Sequence, residues 1–164
     1  MVFRCAPVPT SANNNGEAME HFSSNEYLLA RQYIVDSIYR YCRAMDRIDR
    51  ELGLSLWTDD AILDYGPIFR GPARDFIERA CSDHERMEAT SHQVTNILIE
   101  FDGDLQSAES EAYVTAALRD ARTGTRQDRT IRGRYMDSWV RAGSRWLIAR
   151  RTFQHDLTSI TPAL

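Results

Sequence analysis

An α+β domain, helices first and a strand meander after them, is the fold class this sequence predicts. Three observations lead there. Apolar residues recur three and four apart over residues 28–45 and again over 76–87, the period of a helix face. From Thr90 onward come stretches of strand length, β-branched or alternating in polarity, joined by turn residues. No Gly-x-Gly-x-x-Gly and no internal repeat interrupts the order, so a doubly wound parallel sheet with a Rossmann dinucleotide site has no support.

Taken in order, residues 1–22 mix Pro, Ser and an Asn run without any apolar period and read as a flexible N-terminal tail preceding one domain, 23–164. Ser23, Ser24 and Asn25 offer N-cap oxygens to a first helix, whose stripe of Leu28, Ile34, Val35, Ile38, Tyr41, Cys42 and Met45 carries it to about Ile48. A short second helix is expected from about Arg50 to Trp57. Ala61 to Tyr65 then form a strand running into Gly66-Pro67, and Gly71-Pro72 close a hairpin-like segment. Pro72 suits the first turn of a third helix from Ala73 to about Met87, with Phe76, Ile77, Ala80, Cys81 and Met87 on one face. Four strands follow, at Thr90 to Phe101, Ala108 to Arg119, Thr130 to Arg141 and Arg145 to Leu157, the last pair joined at Ala142-Gly143-Ser144. Consecutive hairpins of this kind predict a curved antiparallel sheet wrapped over the helices.

Composition narrows the chemistry. A chain of 164 residues and net charge −4 can bury a core without disulfides or a structural metal. All 20 basic residues are arginine, which removes a Schiff-base lysine, a phosphate-loop lysine and a lysine general base. The arginines are scattered without a basic block, so no nucleic-acid partner is expected. No apolar run reaches membrane-span length, and residues 1–22 lack the apolar centre of a secretory signal. The expectation is a cytoplasmic protein without a membrane partner. Cys5, Cys42 and Cys81 make an odd count with no CxxC pair, which suits reduced thiols, with Cys42 and Cys81 as small core residues. Cys81 and His84 supply two ligands at most, too few for zinc. Neither a metal nor a cofactor is expected.

Asp46 draws attention because Val35, Ile38, Cys42 and Asp46 share the face that should be buried. It also lies at the helix C-terminus, where the dipole disfavours a carboxylate. Arg43, Arg47 or Arg50 could neutralise it; alternatively it serves a reaction. His92 begins a strand and by the two-residue period shares a face with Val94, Asn96 and Leu98. Should the first helix pack into the sheet's concavity, Asp46 can hold one imidazole nitrogen and leave the other as a general base. Tyr41 and Tyr65 could offer phenol hydrogen bonds to a substrate oxygen, or be ordinary core residues. Arg151, Phe153 and His155 share a face of the last strand, with Trp146 and Ile148 facing the other way. An arginine there must be either paired or anion-binding.

Tyr41-Cys-Arg-Ala-Met-Asp46-Arg-Ile-Asp49, Trp57-Thr-Asp-Asp60-Ala, Asp64-Tyr65-Gly66, Gly71-Pro72, Ser91-His92-Gln-Val-Thr-Asn96 and Trp146-Leu-Ile-Ala-Arg-Arg151 together resemble the SnoaL-like branch of the nuclear transport factor 2-like superfamily. That branch includes scytalone dehydratase, bile-acid 7α-dehydratase and hexachlorocyclohexane dehydrochlorinase. The resemblance spans about residues 24–158. It implies a cone-shaped barrel of three N-terminal helices packed on a strongly curved antiparallel sheet, with a hydrophobic pocket. It further implies a catalytic dyad of Asp46 and His92, with Tyr41, Tyr65 and Arg151 as further catalytic residues. Asn96, Tyr113, Phe153 and His155 are the expected substrate-binding residues. The second active-site histidine of scytalone dehydratase has no match, since Glu111 or Tyr113 falls in that region, which argues against scytalone as substrate. The implied activity is cofactor-independent elimination of water, or of formaldehyde, from a hydrophobic oxygenated aromatic, steroid or polyketide-like compound. A double-bond isomerase, a ligand-binding protein and a partner resembling a dioxygenase small subunit are the alternatives. Family members form dimers and trimers, so a homo-oligomer is implied.

Overall fold

The computed structural model describes residues 24–120 and 125–163; the tail expected at 1–22 lies outside them. Helix α1 (Ser24–Arg47) is followed by α2 (Arg50–Leu54), β1 (Trp57–Asp64), β2 (Arg70–Pro72), α3 (Ala73–His84), β3 (Ala89–Phe101), β4 (Ser107–Asp120), β5 (Gln127–Ala142) and β6 (Arg145–Pro162). The predicted order of helices and strands is therefore present, with the second and third helices each ending about three residues early. Asp49 terminates the first interval by N-capping α2, its carboxylate accepting from the Leu52 N–H at 3.0 Å.

The strands form one open six-stranded sheet in the order β2-β1-β6-β5-β4-β3. The sheet is mixed: β1 lies parallel to β6, with Leu63 opposite Arg151 and Asp64 opposite Thr152, while the other neighbouring pairs are antiparallel. The all-antiparallel expectation fails at that one pair because it joins the first strand to the last, which no local turn signal reports. On β4, the residues Ala108, Ser110, Ala112, Val114, Ala116 and Leu118 alternate inward and are buried. Their small side chains leave room for helical residues to lie against the sheet. Ile34, Ile38, Tyr41 and Met45 of α1 and Ile77 and Cys81 of α3 fill that space, in one core with Leu63, Trp139 and Ile148. Cys42 and Cys81 are buried free thiols, as expected of small core residues.

Two bulges re-aim the side chains that matter. In β3 the register slips between Thr95 and Leu98, and Asn96 takes a positive φ of 52°. A one-residue slip exchanges the two faces of a strand, so beyond it Ile97, Ile99 and Phe101 point inward while Asn96 and Leu98 are exposed. In β6 a second slip opposite Ser138/Trp139 places Ile148 and Arg150 against consecutive residues. Trp146, Ile148 and Arg151 thereby share the buried face, which corrects the strict alternation that had set them apart.

Gly133 on β5 permits close approach of β6. A Cβ there would meet the Gln154 carbonyl oxygen and stand 2.6 Å from the Phe153 ring. Gly133→Ala is expected to destabilise the protein by about 1–3 kcal/mol through overpacking, measured by urea unfolding; unchanged stability would show that β6 yields freely at Phe153.

Candidate active site

Asp46 and His92 meet across the junction of α1 and β3. The His92 Nδ1–H donates to Asp46 Oδ1 at 2.7 Å and its backbone N–H donates to Oδ2 at 2.9 Å. Since β3 is the sheet edge, its outward N–H groups have no strand partner, and the carboxylate satisfies one of them. One side chain thus fixes both the strand and the ring. An ionised carboxylate only accepts, so the proton sits on Nδ1 and neutral His92 carries its lone pair on Nε2. Burial pushes the Asp46 carboxyl up, but the hydrogen bonds from the His92 ring and backbone, with the imidazole charge, bring it below the ordinary carboxylate value.

A third residue joins them. His84, at the end of α3, donates from Nδ1 to the Met45 carbonyl at 3.1 Å, and its ring centroid is 5.5 Å from that of His92. It therefore holds the helical turn that presents Asp46. Considered in the sequence only as half of an inadequate metal pair, His84 carried one usable signal: it follows Ile77 and Cys81 on the buried face of its helix. Burial lowers its pKa, the Met45 bond opposes that, His92 adds to the lowering, and Asp46 and Asp83 oppose it. Stability contributed by neutral His84 is present above its ordinary value of 6.5 and is lost as the pH falls below it, because the unfolded chain then takes up the proton first. His84→Gln is expected to flatten the fall in unfolding free energy between about pH 7 and about pH 5, measured by urea titration; an unchanged slope would place the sensitivity elsewhere.

The other expected catalytic residues form a second, buried cluster. The Tyr41 and Tyr65 hydroxyls hydrogen-bond to each other at 3.2 Å. Burial holds both phenols protonated, raising Tyr41 and Tyr65 well above the ordinary phenol value. Arg151, 0% exposed, donates from Nε and Nη2 to the two carboxylate oxygens of Asp137 at 2.6 and 2.7 Å. Its guanidinium carbon lies 4.2 Å from the Tyr41 ring centroid and 4.0 Å from that of Tyr135, a desolvated cation on aromatic faces. Of the two alternatives for a buried arginine here, the structure shows the paired one. Its Nη1 and the Trp57 Nε1 remain without an acceptor among the described residues. Asp137 went unnoticed in the sequence, although Tyr135, Asp137 and Trp139 alternate on one face and an acid between two inward aromatics asks for a buried partner.

Cys42 stands between the clusters. Burial raises its thiol to about 11, with Arg151 opposing and Asp46 adding. α1 thus carries both groups, Tyr41 toward the core and Asp46 toward β3.

The expected substrate-binding residues divide. Phe153 is in the aromatic cluster, stacked on Tyr65 with centroids 5.1 Å apart. His155 is exposed beyond it, ring centroids 6.4 Å from Phe153, with Nε2 2.9 Å from Thr158 Oγ1. Asn96 is turned outward by the β3 bulge. Tyr113 lies on the outer sheet face, 43% exposed and under the Arg134 guanidinium, because β4 directs its even-numbered residues inward. The geometry therefore separates Asn96 and Tyr113 from both clusters.

Helices thus cover one face of an open mixed sheet, and an acid from the first helix meets a histidine from the first long strand. The chain belongs to the SnoaL-like domain family, whose model matches residues 26–152. Among solved structures, it is similar to a candidate scytalone dehydratase from Novosphingobium aromaticivorans, with 24% identity, 84% of this chain and 91% of that chain covered, and a TM-score of 0.75. A type 2 hexachlorocyclohexane dehydrochlorinase shares 17% identity over 87% of this chain and 95% of that one, with a TM-score of 0.77. The type 3 enzyme from Novosphingobium barchaimii shares 20% over 87% and 97%, with a TM-score of 0.73. No curated protein matches the sequence. No helix among the described residues is long and apolar enough to cross a membrane.

Proposed function

We propose that this protein is a lyase that eliminates water, or formaldehyde, from a hydrophobic oxygenated ring compound, with His92 as general base and Asp46 as its positioning residue. The observation that supports this most is the double engagement of Asp46 by His92, which fixes the tautomer, leaves Nε2 free to accept a proton and stabilises the imidazolium that results. For loss of water, Nε2 takes a proton from carbon, the C–H electrons form the new double bond, and the C–O bond breaks. The imidazolium then protonates the departing hydroxide, which restores the base. For loss of formaldehyde, Nε2 takes the proton of a hydroxymethyl group, the C–C bond breaks, and the same proton returns to the carbanion.

Tyr41 and Tyr65, both held as phenols, are assigned to hydrogen-bond the reacting oxygen. The unpartnered Arg151 Nη1 is assigned to stabilise developing negative charge. None of these steps requires a cofactor. The reading is tested by incubating the protein, without additives, with hydroxylated aromatic dimers, steroids and polyketide alcohols and following product masses. A product lighter by water or formaldehyde is expected. A product of unchanged mass would make it an isomerase, and no conversion across the panel would favour a binding protein.

A further inference from the structure

His92 and Asp46 open onto a groove of about 710 Å³ between α1 and the start of β3, a volume in the range of small-molecule sites. Its apolar floor includes Cys42 and Val94, and its rim carries Arg40, Arg43 and Arg47. All three guanidiniums are on exposed residues, and none has an ion-pair or side-chain hydrogen-bond partner among the described residues. Like charges three and four residues apart on a helix repel one another, so this arrangement costs stability. Asp36 and Asp46, the two carboxylates of the same groove, soften that repulsion but form no ion pair with the three arginines among the described residues. Asp46, which by spacing could have paired with Arg43 or Arg47, has both oxygens occupied by His92. Asp36 accepts from Gln32 at 2.7 Å. Arg50, by contrast, is paired with Glu85 and Glu78. The helix dipole accounts for Arg47, in the last turn, but its influence fades within that turn and leaves Arg40 and Arg43 unexplained.

We propose that the substrate of this site is an acid, a hydrophobic ring compound whose carboxylate is bound by Arg40, Arg43 and Arg47 while the ring lies along Cys42 and Val94 with its reacting proton at His92. The inference rests on the reading of His92 as the base and supplies the substrate class that reading lacks. Guanidinium groups suit the task because their planar donors match a carboxylate two bonds at a time.

The test is binding rather than turnover, with the full chain at low ionic strength and 1-naphthoate, 1-naphthalenemethanol and 1-naphthyl phosphate as probes, followed by calorimetry. Naphthoate is expected to bind about tenfold or more tightly than the alcohol, the scale of a charge-assisted contact. Arg40→Gln/Arg43→Gln/Arg47→Gln is expected to abolish that preference and leave alcohol binding in place. Equal affinities for acid and alcohol, an unchanged preference in the triple variant, or no binding of either overturns the proposal. Tighter binding of the phosphate than of naphthoate, lost in the same variant, overturns the carboxylate in favour of a phosphate ester. His92→Gln is expected to keep the naphthoate preference, so failure of the acid site and failure of the base assignment are read separately.

Discussion

Replacing Asp137 with alanine is expected to destabilise the protein by about 3–5 kcal/mol, the cost of leaving a buried charge without its partner. Arg151 is 0% exposed and spends two of its three nitrogens on that carboxylate, so no solvent screens the cation once Asp137 is gone. Aromatic faces of Tyr41 and Tyr135 offset only a part of the loss, since an exposed or desolvated cation–π contact is worth about 0.5–2 kcal/mol. A deficit of that size is a large share of the about 5–15 kcal/mol that holds a typical domain folded. Replacing both partners, as Asp137→Leu with Arg151→Met, is expected to cost much less than Asp137→Ala, because no buried charge remains. Urea unfolding of the single and double variants checks this. Equal losses would mean that packing, and not charge, dominates the site.

The second large effect is on rate. Asp46→Asn keeps the shape of the dyad but offers an amide that can donate to Nδ1, which moves the imidazole proton to Nε2, the atom required as base. The expected loss in kcat/KM is roughly 10²–10⁴-fold with little change in fold. Imidazole nitrogen shifts measured by NMR give an independent reading, with Nε2 protonated in the variant and not in the parent. A variant that retains both the parent tautomer and the parent rate would remove Asp46 from the positioning role.

How much of this was legible in the sequence depended on whether a local period survived. α1 keeps an unbroken helical stripe, and on it Asp46 stands out as an acid on the buried face at the dipole's negative end. His92 lies ahead of the β3 bulge, so the two-residue period placed it correctly. Asn96 lies within the bulge, and the same period failed there. The slip at Ala149 in β6 likewise hid the fact that Trp146, Ile148 and Arg151 share a face. The parallel pairing of β1 with β6, which brings Tyr65 beside Phe153, joins residues about ninety positions apart in sequence and leaves no turn signal between them. Asp137 and His84 were overlooked for a different reason: each is explained by its partner, Arg151 or the Met45 carbonyl, and partners across a fold are not written in spacing. Arg43 and Arg47 illustrate the reverse. Spacing offered them to Asp46, and only the structure shows that His92 has taken both oxygens.

His92→Ala addresses the base directly. With the substrate that the mass panel turns over, kcat/KM of this variant should fall by at least roughly 10²–10⁴ relative to the parent chain, while circular dichroism and urea unfolding show the fold retained. Near-parental turnover by the folded variant would contradict general-base catalysis at this site.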